Sequence, residues 1–526
     1  MKILVCDDIS SAGTDLFRQN GFEVNEAGSL KPEQLAKIID QYDGLIVRSA
    51  TKVPDTVLNS TNRLRVIGRA GTGVDNIDTR AATRRGIVVM NAAQGNTITT
   101  AEHTIAMLMS VARLIPQATL SLKNGKWEKN KFVGAEVNSK TLGIIGVGKI
   151  GAVVASRAMG LGMRVIAFDP YLSNEAAAKI GIEPVSLDDL YARSDFITIH
   201  TPMTAETKGM VNRDAFAKMR DGVRVINCAR GGLIDEEDLL AALNTGKVAG
   251  AALDVFEQEP PPANHPLVIH ERVICTPHLG ASTEEAQVGV AVTVAEQIID
   301  FLLNQTVRGP VNVPALNSEQ LRLIRPYLSL AESIGDFFGQ AFGHSISEIT
   351  VEYSGDVADL DTTTVTQAVL VGLFSSVIER LNFVNATLIL QERGVKLIET
   401  LDHRARDFAS AITIKAQTPE GEREVSGALF DGNNPRLVRI NGFNLEAIPK
   451  GDMLVVLNHD VPGVIGNIAT FLGNQGINIG RFHLGRKEIG GIAISIIQID
   501  ASLITSQLSE IGHLPNVISV KQVRLP

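Results

Sequence analysis

A chain of 526 residues is too long for one hydrophobic core and implies three or four domains. Hydrophobic residues at 44%, charged residues at 20% and a net charge of -9 without a long basic run describe ordinary globular protein and argue against a nucleic-acid partner. The three cysteines, Cys6, Cys228 and Cys275, lack metal-ligand spacing, and no apolar run reaches the roughly 18 residues of a membrane span, so the expectation is core thiols, no metal, no membrane and a cytoplasmic setting.

The N-terminus, MKILVCDDIS, reads as a strand followed by acidic residues rather than as a leader. Up to about residue 90, apolar strands (KILVCDD, GLIVRSAT, LRVIGRAGTGVDN, IVVMNA) alternate with helices (SLKPEQLAKIIDQY, DTRAATRRG), the pattern of a parallel sheet covered on both faces. NTITTAEHTIAMLMSVARLIPQATLSLKNGKW then reads as one long helix. A second strand–helix series follows, through TLGIIGVGKIG, RVIAFDPY, FITIHTP, VRVINCARGG, GAALDVF and VICTPHLGAST. A second long helix, STEEAQVGVAVTVAEQIIDFLLNQ, is expected to open on a capping box of Ser282 and Glu285.

These two helices would carry the chain from a first lobe near residue 97 and back near 283. The expectation is therefore two doubly wound α/β lobes, 1–97 with 283–317 and 98–282, with a ligand cleft between them. GPVNVPALN is a linker. Residues 318–450 read as α+β without a nucleotide motif, and Arg436, Arg439 and Lys450 form a weakly basic cluster there. Residues 451–526 follow the order strand, helix, strand, strand, helix, strand, a ferredoxin-like unit.

LGIIGVGKIG places Gly146, Gly148 and Gly151 between a strand and a helix. The first glycine suits a tight turn, the second a backbone close to a pyrophosphate, and the third close helix packing. Asp169 ends the next strand, where a carboxylate accepts from ribose hydroxyls and repels a 2′-phosphate. NAD is therefore expected rather than NADP.

Arg230, Glu259 and His278 each follow a strand of this half, so they are expected to converge beside the nicotinamide. A histidine takes a hydroxyl proton as hydride leaves. A carboxylate on its other nitrogen fixes the tautomer, and an arginine grips the substrate carboxylate. Gly231 and Gly232 are expected to clear space for that substrate.

VINCARGGLIDEEDLLAAL, GAALDVFEQEP and PHLGAST resemble the D-isomer-specific 2-hydroxyacid dehydrogenases over residues 1–315. The resemblance implies Arg230, Glu259 and His278 as catalytic residues. It implies NAD contacts at Lys149, Ile150, Asp169, Thr201, Ala229, Asp254 and Gly280, and at neighbouring Thr72, Cys228 and Ala281.

The whole chain looks like the long members of that family, which oxidise 3-phosphoglycerate to 3-phosphohydroxypyruvate at the entry to serine biosynthesis. That likeness implies Arg48, Arg69, Gly73, Val74 and Asn96 around the substrate, with an anion cradle of backbone N–H groups over 71–74. It also implies a swapped arm at KNGKWEKNKF, with Trp127 and Lys131, and a homotetramer. The tail resembles an ACT domain, whose effector, L-serine, would meet Asp460 and Asn478 between paired copies. Asn458 stands where serine-inhibited relatives often carry histidine or tyrosine. Two other readings suit the same triad: a hydroxypyruvate or glyoxylate reductase, and an NAD-sensing corepressor.

Overall fold

A computed structural model describes residues 1–93, 95–314, 318–405 and 407–526. The last three residues of the linker, 315–317, lie outside the described residues. The first sheet comprises β1 (Lys2–Cys6), β2 (Glu23–Gly28), β3 (Gly44–Val47), β4 (Val66–Arg69) and β5 (Val88–Asn91), parallel in the order β2-β1-β3-β4-β5. Strand β2 carries no apolar signal because it is an edge strand with almost every residue exposed.

The second sheet is also parallel. It comprises β6 (Thr141–Ile145), β7 (Arg164–Phe168), β8 (Glu183–Pro184), β9 (Phe196–Ile199), β10 (Val223–Asn227), β11 (Val248–Leu253) and β12 (Val273–Cys275). Its order is β12-β11-β10-β9-β6-β7-β8, so the strand order reverses at β6, where nucleotides bind in such sheets.

The expected single helix is two, Thr97–Arg113 and Ile115–Lys123, bent by 64°. Leu114 adopts the left-handed conformation (φ 54°), and Pro116 follows in the first turn of the second helix, where its missing N–H is tolerated. The Ser282 capping box does not form. Thr283 caps the helix Glu284–Asn304 instead, its side chain accepting from Ala286 N. That helix is long and apolar enough for a membrane span by composition. Its apolar face, with Val290, Val294 and Ile298, is buried on the first sheet. The helix Thr97–Arg113 packs on the second sheet.

The third sheet comprises β13 (Glu348–Gly355), β14 (Lys396–Asp402), β15 (Ser410–Thr418), β16 (Gly421–Phe430), β17 (Asn434–Ile440) and β18 (Phe443–Ala447), in the order β14-β13-β15-β16-β17-β18. One face carries the helices Ser318–Phe342 and Thr362–Phe374. This domain docks on the first lobe through Arg84–Glu392 (3.0 Å) and Asn382 Nδ2 to Gly86 O (3.0 Å), with Val384 buried in the first lobe's core.

The fourth sheet comprises β19 (Gly451–His459), β20 (Ile479–Arg486), β21 (Ile492–Ile499) and β22 (Val517–Leu525), antiparallel in the order β20-β21-β19-β22, a ferredoxin-like unit. Alternation divides its faces. Leu454 and Val456 meet its own helices, whereas Met453, Val455 and Leu457, with Ile494, Ile496, Val523 and Leu525, enter the core of the preceding domain.

Candidate active site

The site is built from strand ends. Gly146 turns the chain after β6 with φ 92°. A Cβ there would meet the His200 carbonyl at 2.9 Å, and one on Gly151 would strike the Gly146 carbonyl. A Cβ on Gly148 would meet nothing within 4 Å, so this backbone borders open space. Gly148 precedes the helix Lys149–Gly160, whose first N–H groups, on Lys149, Ile150 and Gly151, face outward as an anion site.

Asp169 is fixed beside this turn. Its Oδ2 accepts from Val147 N at 2.8 Å and its Oδ1 from Tyr171 N at 2.9 Å. The remaining lone pairs are free for ribose hydroxyls. Thr201 lines the turn, with its methyl 2.9 Å from where a Gly146 Cβ would lie. Open space at Gly148, free helix donors and a fixed carboxylate fit a dinucleotide such as NAD.

The loops after β11 and β12 bring Glu259 and His278 together, with His278 Nδ1 2.7 Å from Glu259 Oε2. Burial pushes the Glu259 carboxyl up. The hydrogen bond and charge of His278, aided by Phe256 N–H at 3.2 Å on Oε1, outweigh that and hold it below the ordinary range. His278 itself has φ 55°, the left-handed region that side chains other than glycine seldom occupy.

Arg230 leaves β10 on an Asn227 hinge. Asn227 Nδ2 donates to Arg230 O (2.8 Å), and Ala229 N donates to Asn227 Oδ1 (3.0 Å). The guanidinium crosses the cleft to Asp75 at 3.3 Å and lies against Gly73, where any Cβ would collide with it. Gly231 and Gly232 do not clear substrate space. A Cβ on Gly231 would strike the Phe256 carbonyl, so its task is close backbone approach, and Gly232 serves a φ of 79°.

Arg69 ends β4 and lies against Gly71. Its Nε is buried without a hydrogen-bond partner. Burial, reinforced by the like charges of Arg230 and Arg48, pulls the Arg69 guanidinium down to about 10. Arg48 is anchored on Asp8 O at 3.0 Å. Three guanidinium groups thus share one corner of the cleft. The expected cradle is shorter than 71–74, because Gly71 N already donates to Arg69 O (2.8 Å). The N–H groups of Thr72, Gly73 and Val74 bond to no described residue. Asn96 is buried and accepts from Thr72 Oγ1 at 2.6 Å.

Cys228 and Ala229 lie between β10 and Arg230, and burial pushes the Cys228 thiol up to about 12, so it stays protonated. Asp254, with a fully buried side chain, accepts from Thr276 Oγ1 (2.6 Å), Leu279 N (2.7 Å) and Gly280 N (2.9 Å). Ala281 continues that loop. Sequence reasoning missed His103, Thr100 and Asp75. The spacing of Thr100, His103 and Met107 on one face of an apolar helix was the available signal.

Asp460 and Asn478 are not brought together. Strand pairing sets His459 opposite Ile492 and Ile479 opposite Ile499, so the two residues lie at opposite ends of the fourth sheet. The N–H of Gly490 and the guanidinium of Arg486, at 3.0 Å, hold the Asp460 carboxyl below its usual range. Asn478 donates to Asp500 at 3.2 Å. Arg436 and Arg439 are ion-paired, with Glu446 (3.6 Å) and Asp407 (2.9 Å).

A glycine turn at the strand-order reversal, a histidine–carboxylate pair after β11 and β12, and an arginine cluster where the two lobes meet define an NAD-dependent dehydrogenase. Residues 105–280 match the D-isomer specific 2-hydroxyacid dehydrogenase NAD binding domain, and 323–441 match the D-3-phosphoglycerate dehydrogenase intervening domain. The chain is 44% identical to the D-3-phosphoglycerate dehydrogenase of Synechocystis, over 100% of this chain and 95% of that one. It is 41% identical to that of Bacillus subtilis over 100% of both chains. It therefore belongs to the D-3-phosphoglycerate dehydrogenase family, and NAD is its cofactor.

Among solved structures, a glyoxylate reductase from Paecilomyes thermophila aligns at TM-score 0.55 and 29% identity, covering 59% of this chain and 98% of its own. An NAD-dependent formate dehydrogenase from Staphylococcus aureus in complex with NAD aligns at TM-score 0.55 and 26% identity, covering 60% of this chain and 100% of its own.

Proposed function

We propose that this chain oxidises D-3-phosphoglycerate to 3-phosphohydroxypyruvate, the first step of L-serine biosynthesis. The observations that carry this reading are the dyad of His278 and Glu259 (2.7 Å) after β12 and β11 and the cleft corner shared by Arg48, Arg69 and Arg230. NAD, when bound, supplies the hydride acceptor. Gly146, Gly148, Lys149, Ile150, Gly151, Asp169 and Thr201 would hold its adenosine and pyrophosphate. Cys228, Ala229, Asp254, Gly280, Ala281 and Thr72 would border its nicotinamide.

His278 Nε2 takes the substrate hydroxyl proton. Glu259 accepts from Nδ1, keeps Nε2 free as the base, and stabilises the imidazolium that forms. Arg230 grips the carboxylate and polarises the C2 oxygen. Arg48 and Arg69, with the N–H groups of Gly73 and Val74, meet the phosphate. Asn96 holds Thr72 at the cleft edge.

We assign the substrate lobe to 1–97 with 283–317, the cofactor lobe to 98–282, an intervening domain to 318–450 and an ACT domain to 451–526. The ferredoxin-like order of the last unit supports the ACT assignment. Asp460 and Asn478 lie at opposite ends of its sheet, so an L-serine site using both needs two copies paired side by side. The exposed side chains of Leu120, Leu122, Trp127 and Val133 support assembly through that arm, into a homotetramer. Three unpaired cysteines with no disulfide support a cytoplasmic setting.

The test is NADH oxidation with 3-phosphohydroxypyruvate, hydroxypyruvate and glyoxylate in parallel. A large preference for the phosphorylated substrate is expected. Equal rates would favour a hydroxypyruvate or glyoxylate reductase, and NAD binding without turnover would favour a corepressor.

A further inference from the structure

We propose that His103, on the helix Thr97–Arg113, is a positioning residue for His278, acting through the buried carboxylate of Asp254. The inference rests on the reading of His278 as the proton acceptor.

His278 sits in the left-handed region (φ 55°), which residues other than glycine occupy uncommonly. Something must hold the segment 276–280 in that shape, and the bonds that do so converge on Asp254. Its backbone carbonyl accepts from His278 N at 2.9 Å. Its carboxylate accepts from Thr276 Oγ1 on one side of His278, and from Leu279 N and Gly280 N on the other. One side chain therefore spans the strained residue.

That carboxylate has no exposed surface, and a buried charge is costly unless paired. Among the described residues, His103 is the only basic side chain within ion-pair distance, with Nε2 3.2 Å from Asp254 Oδ1. The same Nε2 lies 3.2 Å from Thr276 Oγ1. Because Thr276 donates its own proton to Asp254, His103 Nε2 can only be a donor here, to the carboxylate and to Thr276 Oγ1. One turn earlier on the same helix face, Thr100 Oγ1 donates to Gly280 O at 2.9 Å. The helix thus grips the segment on both sides of His278, and His103 supplies the grip's only ionisable contact.

A positioning role makes specific demands. The donor should matter more than the ring, and the loss should fall on the chemical step more than on substrate capture. The experiment compares full-length wild type with His103→Ala, His103→Met, His103→Gln and His278→Ala. It measures kcat and KM for 3-phosphohydroxypyruvate reduction, NADH binding by fluorescence, and thermal melting.

His103→Met fills the space without an N–H, and His103→Gln restores an N–H at the reach of Nε2. The expected result is a fall in kcat of about 10- to 100-fold for Ala and Met, the scale of a small misplacement of a catalytic group, with KM little changed and most of the rate recovered in Gln. Wild-type kcat in Ala or Met, or a Gln variant as slow as Met, overturns the inference while an inactive His278→Ala leaves the proposed function standing. If Ala does not fold, the Met and Gln pair decides by the same criterion. A His278→Ala enzyme that keeps turnover overturns the proposed function itself.

Discussion

Glu259 Oε2 stands 2.7 Å from His278 Nδ1, although the two residues sit on separate loops, after β11 and after β12. Because those strands are parallel neighbours, their loops leave the sheet on the same side, and the dyad forms without either residue leaving its strand end. Replacing His278 with alanine should lower kcat by about 10²- to 10⁴-fold with NAD affinity retained, the usual contribution of a general base. Glu259→Gln, which keeps one hydrogen-bond acceptor but no charge, should cost less. Turnover near wild type in His278→Ala would show that another group takes the proton.

Arg69 is destabilised where it stands, by burial and by two like charges. An anion relieves that repulsion. Inorganic phosphate should therefore raise the melting temperature of the wild type, and Arg69→Met should abolish the rise while melting no lower than wild type without phosphate. In kinetics, Arg48→Ala and Arg69→Met should both shrink the preference for 3-phosphohydroxypyruvate over hydroxypyruvate. A preference that survives both changes would place the phosphate elsewhere.

The Asp169 carboxylate is tied down by two backbone N–H groups before any nucleotide arrives. Asp169→Ala removes both the ribose acceptor and the 2′-phosphate repulsion. We expect NAD to weaken by about 10- to 100-fold, the loss of one charge-assisted hydrogen bond of about 1.5–3 kcal/mol, and NADP to gain relative to it. An unchanged NAD/NADP ratio would contradict the ribose role.

Burial pulls the His200 imidazole, which contacts Thr198 Oγ1 at 3.1 Å, down to about 4. The unfolded chain therefore binds a proton near pH 6.5 that the folded chain refuses. This contribution to stability is fully present above 6.5 and is lost as pH falls toward 4, by on the order of 2 kcal/mol. Urea titrations at pH 7 and pH 4.5 should show that loss in wild type and a smaller one in His200→Gln. Equal losses in both proteins would assign the acid sensitivity to other groups.

The last unit invites removal as a test of regulation, but its β-sheet closes the core of the preceding domain through Met453, Ile494, Ile496, Val523 and Leu525. Deleting 451–526 should therefore lower stability as well as regulation. Asp460→Ala and Asn478→Ala are the cleaner probes. Each should abolish inhibition by L-serine in an NADH assay and leave the rate without serine unchanged. A wild type indifferent to L-serine would remove the effector role.

Local chemistry was legible from the residues in order. Continuous apolar runs and helical patterns marked most strands and helices of both lobes, because parallel strands are buried on both faces. The glycine spacing at 146–151 marked the tight turn after β6, and the placement of Glu259 and His278 after consecutive strands marked their pairing. Those signals survive in one dimension because each depends on near neighbours or on the common direction of parallel strands.

What only the tertiary structure decided depends on pairs far apart in the chain. Edge strand β2 carries no hydrophobic signal because hydrogen bonding to β1 alone makes it a strand. Gly231 serves the Phe256 carbonyl rather than the substrate, Arg69 is strained by Arg48 and Arg230, and Asp460 stands a whole strand away from Asn478. Most telling is His103, whose place on the helix face hints at a buried role but whose partners, Asp254 and Thr276, only folding brings against it. Burial and charge–charge energy are set by distances in space, and the order of residues along a chain does not contain them.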